Sequence, residues 1–67
     1  MSDDDVVSFD QCRAIAETDA AILVDIPGHG KVWIPKSQVD DDSEVYEDGT
    51  DGTLVITEWM AIEKGLV

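Results

Sequence analysis

Basic residues are scarce in this chain: its 67 residues include 4 Lys and Arg against 16 Asp and Glu, a net charge of −12 at pH 7. A surface that binds nucleic acid needs clustered Lys and Arg to neutralise phosphates. Aromatic residues, at 6%, are also too few for a base-stacking platform. We therefore expect no direct binding to nucleic acid, and none to an anionic membrane. The cations are scattered along the chain: Arg13, Lys31, Lys36 and Lys64.

Cysteine and long apolar runs are lacking as well. Cys12 is the single cysteine, so no internal disulfide can form, which is typical of a reducing compartment. No apolar run approaches the roughly 18 residues that span a bilayer. The N-terminus reads Met-Ser-Asp-Asp-Asp, which is the opposite of a basic signal sequence. These absences predict a cytoplasmic protein.

The sequence also lacks the residue sets of catalytic and metal sites. His29, the single histidine, lies in a Pro-Gly-His-Gly turn, which cannot hold a general base in position. One Cys and one His cannot supply a tetrahedral zinc site within one chain. Asp40-x-Asp42-x-Glu44 resembles half of an EF-hand loop, but Val45 stands where the sharp turn needs glycine. We expect no enzyme activity, no cofactor and no defined metal site.

Apolar residues, 43% of the chain, are sufficient for one small core. Residues 1–8 carry three acids and little apolar mass, so we expect an acidic flexible tail. Residues 9–67 would form a single small domain. Within it, residues 9–17 fit either a helix that begins with a capping box or a strand with alternating side chains, and we favour a strand over about 11–17.

A hairpin is the clearest structural pattern. Residues 20–26 are rich in β-branched side chains, residues 31–35 return with alternating apolar positions, and the turn between them contains two glycines. Pro35 ends the second strand, and a short turn of 3₁₀ type is expected over 36–39. An acidic loop follows at 40–52.

The C-terminal residues predict a strand at 54–57 and a short helix over 58–64. Thr57 is a suitable N-cap, and Gly65 is placed for the C′ position. Side chains at i, i+3 and i+7 would form an apolar stripe against the sheet: Trp59, Ile62 and Leu66. Together these elements predict an α+β fold, in which a small antiparallel sheet, open or barrel-like, is closed by a short C-terminal helix.

The acids of the loop are the candidate partner-binding surface. Negative charge at this density attracts basic proteins and repels phosphate backbones. We expect Trp33 and Trp59 in or near the core, but an outward-facing Trp33 would be a further anchor for a partner. The candidate binding residues are Asp40, Asp41, Asp42, Glu44, Glu47, Asp48, Asp51 and Trp33.

Four short blocks of this sequence resemble a group of small phage, prophage and plasmid proteins. They are Trp-Ile-Pro-Lys-Ser-Gln-Val at 33–39, Ala-Ile-Leu-Val at 21–24, Thr-Glu-Trp at 57–59 and Glu-Lys-Gly-Leu at 63–66. The resemblance covers residues 18–67 and implies a mobile genetic element as the source, without implying an activity. By analogy, small acidic proteins of such elements include anti-CRISPR inhibitors of host defence.

Three functions fit the sequence. The first is a nucleic acid mimic, which blocks a basic groove of a nucleic acid-binding host protein or nucleoprotein complex. The second is a salt-adapted (halophile-type) small structural module, whose acidity reflects its habitat. The third is an adaptor that uses Trp33 and the hairpin edge to bind a protein partner or itself, which leaves a homodimer open.

Overall fold

The computed structural model describes residues 5–67, which form a four-stranded antiparallel sheet and one short helix. The strand order is β3-β2-β1-β4. The sheet is open, with β3 and β4 as its outer strands, so no closed barrel forms among the described residues. In chain order the elements are β1 (Val6–Glu17), β2 (Ala21–Ile26), β3 (Gly30–Pro35), a 3₁₀ turn (Lys36–Gln38), β4 (Asp51–Thr57) and α1 (Glu58–Glu63).

Residues 9–17, for which the sequence allowed either a helix or a strand, belong to the long first strand. They form a strand, as favoured, and the helix alternative is wrong. The strand begins at Val6 because residues 6–8 pair with residues 55–57 of β4, so this part of the expected tail belongs to the sheet. The tail prediction for residues 1–4 lies outside the described residues.

Two irregularities divide β1 between its neighbours. Its register with β4 shifts between Phe9 and Cys12, and its register with β2 shifts between Ala14 and Ala16. Gln11, at the first shift, has a φ of 60°, which is unusual for a residue other than glycine. Such bulges bend a strand, so β1 pairs along its first part with β4 alone and along its last part with β2.

The predicted hairpin is confirmed. β2 pairs with β3 in an unbroken register from Ala21 opposite Pro35 to Ile26 opposite Gly30. The turn relies on Gly28 and Gly30, whose φ values of 85° and 82° favour glycine. The apolar side chains of the hairpin's inner face, Ile22, Val24, Ile26 and Ile34, are buried.

The C-terminal helix follows the predicted caps but not the predicted stripe. Thr57 Oγ1 accepts a hydrogen bond from Met60 N, and Gly65, with a φ of 72°, follows the helix end. Leu66 N then donates to Ala61 O, which returns the chain toward the core in a Schellman motif. Because α1 ends at residue 63, helical spacing does not extend to Leu66, and Met60 and Ala61 form the buried face instead.

Two large side chains of the expected stripe therefore face outward. Trp59 is 61% exposed and Ile62 is 58% exposed, so their predicted packing on the sheet is wrong. Leu66 is buried as expected, but through the turn after the helix. The core lies between the sheet's inner face, α1 and Val45 of the acidic loop.

Candidate protein-binding surfaces

The acidic loop runs along the outer edge of β4. We call residues 40–51 the acidic segment. Val39, just before it, forms a bridge with Ile56, and Asp40 N donates to Val55 O at 2.8 Å. Glu44 N donates to Thr53 O at 2.9 Å. The segment therefore covers the edge that β4 would otherwise present to solvent.

Ser43 and Val45 hold the middle of the acidic segment against the core. Ser43 is buried, and its Oγ donates to Val45 O at 2.8 Å. The same oxygen accepts hydrogen bonds from Val55 N at 3.0 Å and from Val45 N at 3.2 Å. Val45 has no exposed surface. Small and apolar side chains between the acids thus point inward, which leaves the carboxylates outside.

The last part of the acidic segment is fixed by Thr50. Its Oγ1 accepts hydrogen bonds from Tyr46 N and Glu47 N, and donates to Glu47 O at 2.7 Å. Two backbone hydrogen bonds, Ala14 N to Thr50 O and Gly49 N to Ala14 O, tie this turn to β1. The segment is therefore attached to β1 as well as to β4.

Two of the predicted binding acids accept hydrogen bonds through their side chains. Asp40 Oδ2 accepts from Asp42 N at 3.0 Å, and Glu44 Oε1 accepts from Thr53 N at 2.8 Å. Asp51, the first residue of β4, is exposed and lies opposite Arg13 in the β1–β4 register, and within residues 5–67 the two side chains form no ion pair. The side chains of Asp40 and Glu44 are therefore less available to a partner than the others on the predicted list.

Four further acids are exposed, and within residues 5–67 their side chains form no hydrogen bond or ion pair: Asp41, Asp42, Glu47 and Asp48. The structure brings these four acids onto one segment. We call them the free acids.

One ion pair forms within the described residues, between Lys36 Nζ and Glu17 Oε2 at 2.6 Å. Glu17 also accepts Asp48 N through Oε1 at 3.1 Å. The hydrogen bond from Lys36, and then that from the Asp48 amide, lower the pKa of Glu17 below its ordinary value. Lys36 is therefore occupied by Glu17 and does not neutralise a free acid.

Trp33 lies away from this segment, on the other outer strand of the sheet, and is 43% exposed. The prediction that Trp33 lies in or near the core is therefore wrong. The alternative, a side chain that faces outward, is the one found in the structure. It stands opposite Leu23 on β2, which is half-buried. The predicted site residues thus divide between two surfaces, with the acids along β4 and Trp33 on β3.

The single cysteine and the single histidine, Cys12 and His29, are the other residues that could carry chemistry. Burial raises the pKa of the Cys12 thiol, whose Sγ lies 3.4 Å from Phe9 O, so little reactive thiolate is present near neutral pH. His29 is exposed and its ring stands edge-on to Phe9 at 6.1 Å. In the described part of the chain, no three His, Cys, Asp or Glu side chains are grouped to hold a metal ion. Among the same residues, no helix has the length and apolar character to cross a membrane.

Sequence reasoning found the acids but missed the residues that hold them. The alternation of Ser43, Glu44 and Val45 was the available signal, because a small and an apolar side chain flank an acid at strand-like spacing. Tyr46, which is 53% exposed beside the acids, was also missed. No protein-family model, curated protein or solved structure matches this chain. The resemblance to phage and plasmid proteins therefore stays a prediction.

Proposed function

We propose that this protein is a non-enzymatic, cytoplasmic binding protein whose acidic segment occupies a basic surface of a nucleic acid-binding protein. The observation that carries the proposal is the set of free acids, whose carboxylates form no ion pair within residues 5–67 and project from a hydrogen-bonded backbone. The resemblance to mobile-element proteins adds a host nucleoprotein complex as the target, blocked as anti-CRISPR-type inhibitors block theirs.

Rigidity supports this function as much as charge does. A flexible acidic loop would lose conformational freedom on binding, and that cost would weaken the complex. Here the backbone of the segment is already bound to β4 and β1, so the positions from which its acidic side chains project are fixed. A phosphate track presents charge in the same fixed way, which is why the segment suits a groove built for nucleic acid.

A groove beside the free acids supports recognition of basic side chains. It encloses about 350 Å³ and is lined by Lys36, Val39, Asp40, Asp41, Ser43 and Tyr46. A guanidinium of the partner would meet carboxylates and an aromatic ring there, which are the groups that bind arginine best in proteins. The function proposed is therefore arginine- and lysine-directed binding by shape as well as by net charge.

The test compares two variants with equal charge. Asp41→Asn, Asp42→Asn, Glu47→Gln and Asp48→Asn together remove the free acids. The control, Asp5→Asn, Asp19→Asn, Asp25→Asn and Glu63→Gln, removes as many carboxylates outside the segment, none of which has a side-chain hydrogen bond or ion pair within residues 5–67. Each tagged protein would capture partners from nuclease-treated host lysate at physiological salt, and again at several-fold higher salt.

We expect the wild type and the control to retain one basic nucleic acid-binding complex that high salt releases, and the free-acid variant to lose it. Equal loss by both variants would mean that net charge alone is responsible. Capture of no specific complex would contradict the proposal and favour salt adaptation. In that case the melting temperature should rise steeply between dilute buffer and molar KCl, as self-repulsion is screened.

A further inference from the structure

The outer edge of β3 is not covered by any described residue. Lys36 N donates to Ala20 O at 2.8 Å, in continuation of the β2–β3 register. Antiparallel strands alternate between residues that bond to the neighbour and residues that turn their backbone groups away. The N–H and C=O groups of Lys31 and Trp33 therefore point outward, and no backbone or side-chain partner reaches them within residues 5–67.

The strand at this edge carries no acidic residue. Residues 30–38 include Lys31 and Lys36 and contain no Asp or Glu, in a chain with a net charge of −12. Two copies that pair through this strand therefore place no acid of one strand opposite an acid of the other. An approach through β4 would instead bring acids against acids, and its edge bonds are already taken. Charge therefore favours this edge for contact between identical chains.

We propose that two copies of this chain pair through the edge of β3, antiparallel about a twofold axis at Trp33, to form one continuous sheet. The two Trp33 residues exchange N–H···O=C bonds, and their side chains lie next to each other on the outer face. At each end, Lys31 N donates to Pro35 O of the second copy. Such a contact is self-complementary, as a twofold interface requires.

The features that usually protect a strand edge are compatible with this register. Lysine and proline at an edge hinder pairing, and β3 has both. However, Pro35 lies opposite Lys31 when Trp33 is at the centre, so its missing N–H removes one bond at each end and leaves the central pair intact. The centre of the strand, Val32 to Ile34, carries no charge.

The interface is small and joins two acidic molecules, so its salt dependence should be diagnostic. Screening weakens repulsion between the copies, and dimerisation should therefore strengthen as salt rises. Binding of a basic partner through the free acids should weaken instead. The two proposals thus respond to salt in opposite directions and can fail independently.

Sedimentation equilibrium would test the dimer from about 10 µM to about 1 mM, where an interface below about 1,200 Å² shows its dissociation. The measurement would be made in dilute buffer and in about 1 M KCl, where the screening length is about 3 Å. Trp33→Arg places a charge at the twofold axis. Trp59→Arg is the matched control, because it makes the same change at an exposed Trp on α1.

We expect a reversible wild-type dimer that tightens with salt, at least about tenfold weaker association for Trp33→Arg, and a change below about twofold for Trp59→Arg. Amide exchange at Lys31 and Trp33 should also slow as the wild-type concentration rises. A monomer at every concentration and salt would overturn the proposal. So would a dimer that Trp59→Arg disrupts as much as Trp33→Arg, or one without concentration-dependent protection at these two amides.

Discussion

The two outer strands of the sheet meet their surroundings in opposite ways. The edge of β4 is covered by the acidic segment, whose backbone and Ser43 side chain form hydrogen bonds with Thr53 and Val55, and by Val39 just before it, which forms a bridge with Ile56. The edge of β3 is uncovered, and Trp33 stands at its centre. One edge is thus satisfied by the chain itself and heavily charged, and the other is unsatisfied and free of acids.

In the acidic segment, the groups that attach it to the sheet are different from the carboxylates that it exposes to solvent. Its attachment uses backbone groups, the hydroxyls of Ser43 and Thr50, and the apolar side chain of Val45. The side chains of the free acids form no hydrogen bond or ion pair in that attachment within the described residues. We therefore expect that these carboxylates can be neutralised without loss of the fold. A loss of partner binding in the free-acid variant can then be attributed to the missing charges.

The largest expected effect comes from removal of the Ser43 hydroxyl, which would open the covered edge. Ser43→Ala leaves two buried amides, Val55 N–H and Val45 N–H, without their acceptor. Since each unsatisfied buried group costs about 1–3 kcal/mol, the free energy of unfolding should fall by about 3 kcal/mol. Urea unfolding followed by tryptophan fluorescence would measure it.

Ser37→Ala is the control, because Ser37 is exposed and has no side-chain hydrogen bond within residues 5–67. It should change stability by less than about 0.5 kcal/mol. Similar losses in the two variants would mean that the Ser43 hydroxyl does not hold the segment on β4.

A smaller loss of stability is expected at Gly52 of β4, which lies against the Glu44 side chain of the acidic segment. Gly52 has a φ of 125°, and a Cβ there would stand 2.5 Å from Glu44 Oε1. Gly52→Ala should therefore cost about 2 kcal/mol, from backbone strain and from displacement of the Glu44 side chain off Thr53 N.

A double-mutant cycle would separate these two causes. In a Glu44→Ala background the cost of Gly52→Ala should fall by about 1 kcal/mol, because the carboxylate 2.5 Å from the added Cβ is gone and only the Cβ of residue 44, at 3.2 Å, remains close. Gly49→Ala, with a φ of 92° and nothing within 4 Å of the added Cβ, should show the strain alone. An unchanged cost of Gly52→Ala without Glu44 would place the whole effect in the backbone.

The sequence predicted those parts of the fold that local signals specify. The hairpin, the 3₁₀ turn, and the caps at Thr57 and Gly65 all depend on residues close together in the chain, and all form. The first half of β1 was missed because its partner, β4, lies more than 40 residues away. The apolar stripe failed at Trp59 and Ile62 because α1 buries a different face, formed by Met60 and Ala61.

The candidate site was predictable in charge but not in arrangement. Asp and Glu residues are visible in any sequence, whereas the frame that holds them depends on a hydrogen bond that Ser43 Oγ accepts from Val55 N, twelve residues further on. The separation of Trp33 from the acids follows from strand order, which no local pattern reveals. Long-range pairing is therefore what the sequence analysis lacked at both edges.

The smallest expected effect concerns Glu17. Its carboxylate links the end of β3 to the acidic segment, because it accepts hydrogen bonds from Lys36 Nζ and from Asp48 N. Its pKa is lowered in the folded protein from an ordinary value of 4.5. The unfolded chain therefore binds more protons at Glu17 as the pH falls below this value. The stability that Glu17 contributes is complete above pH 4.5 and is lost as the pH falls through its lowered folded pKa.

Glu17→Gln should accordingly flatten the acid side of the plot of unfolding free energy against pH, and the change should be modest because both side chains of the ion pair are partly exposed. Urea unfolding at a series of pH values below 5 would measure it. Glu63→Gln removes the same charge from an exposed residue without a side-chain contact in the described part of the chain, and serves as the control. If the two variants gave the same slope, the link between Lys36 and the acidic segment would contribute nothing beyond net charge. A flatter slope for Glu17→Gln alone would show that this carboxylate stabilises the contact between Lys36, just after β3, and the acidic segment.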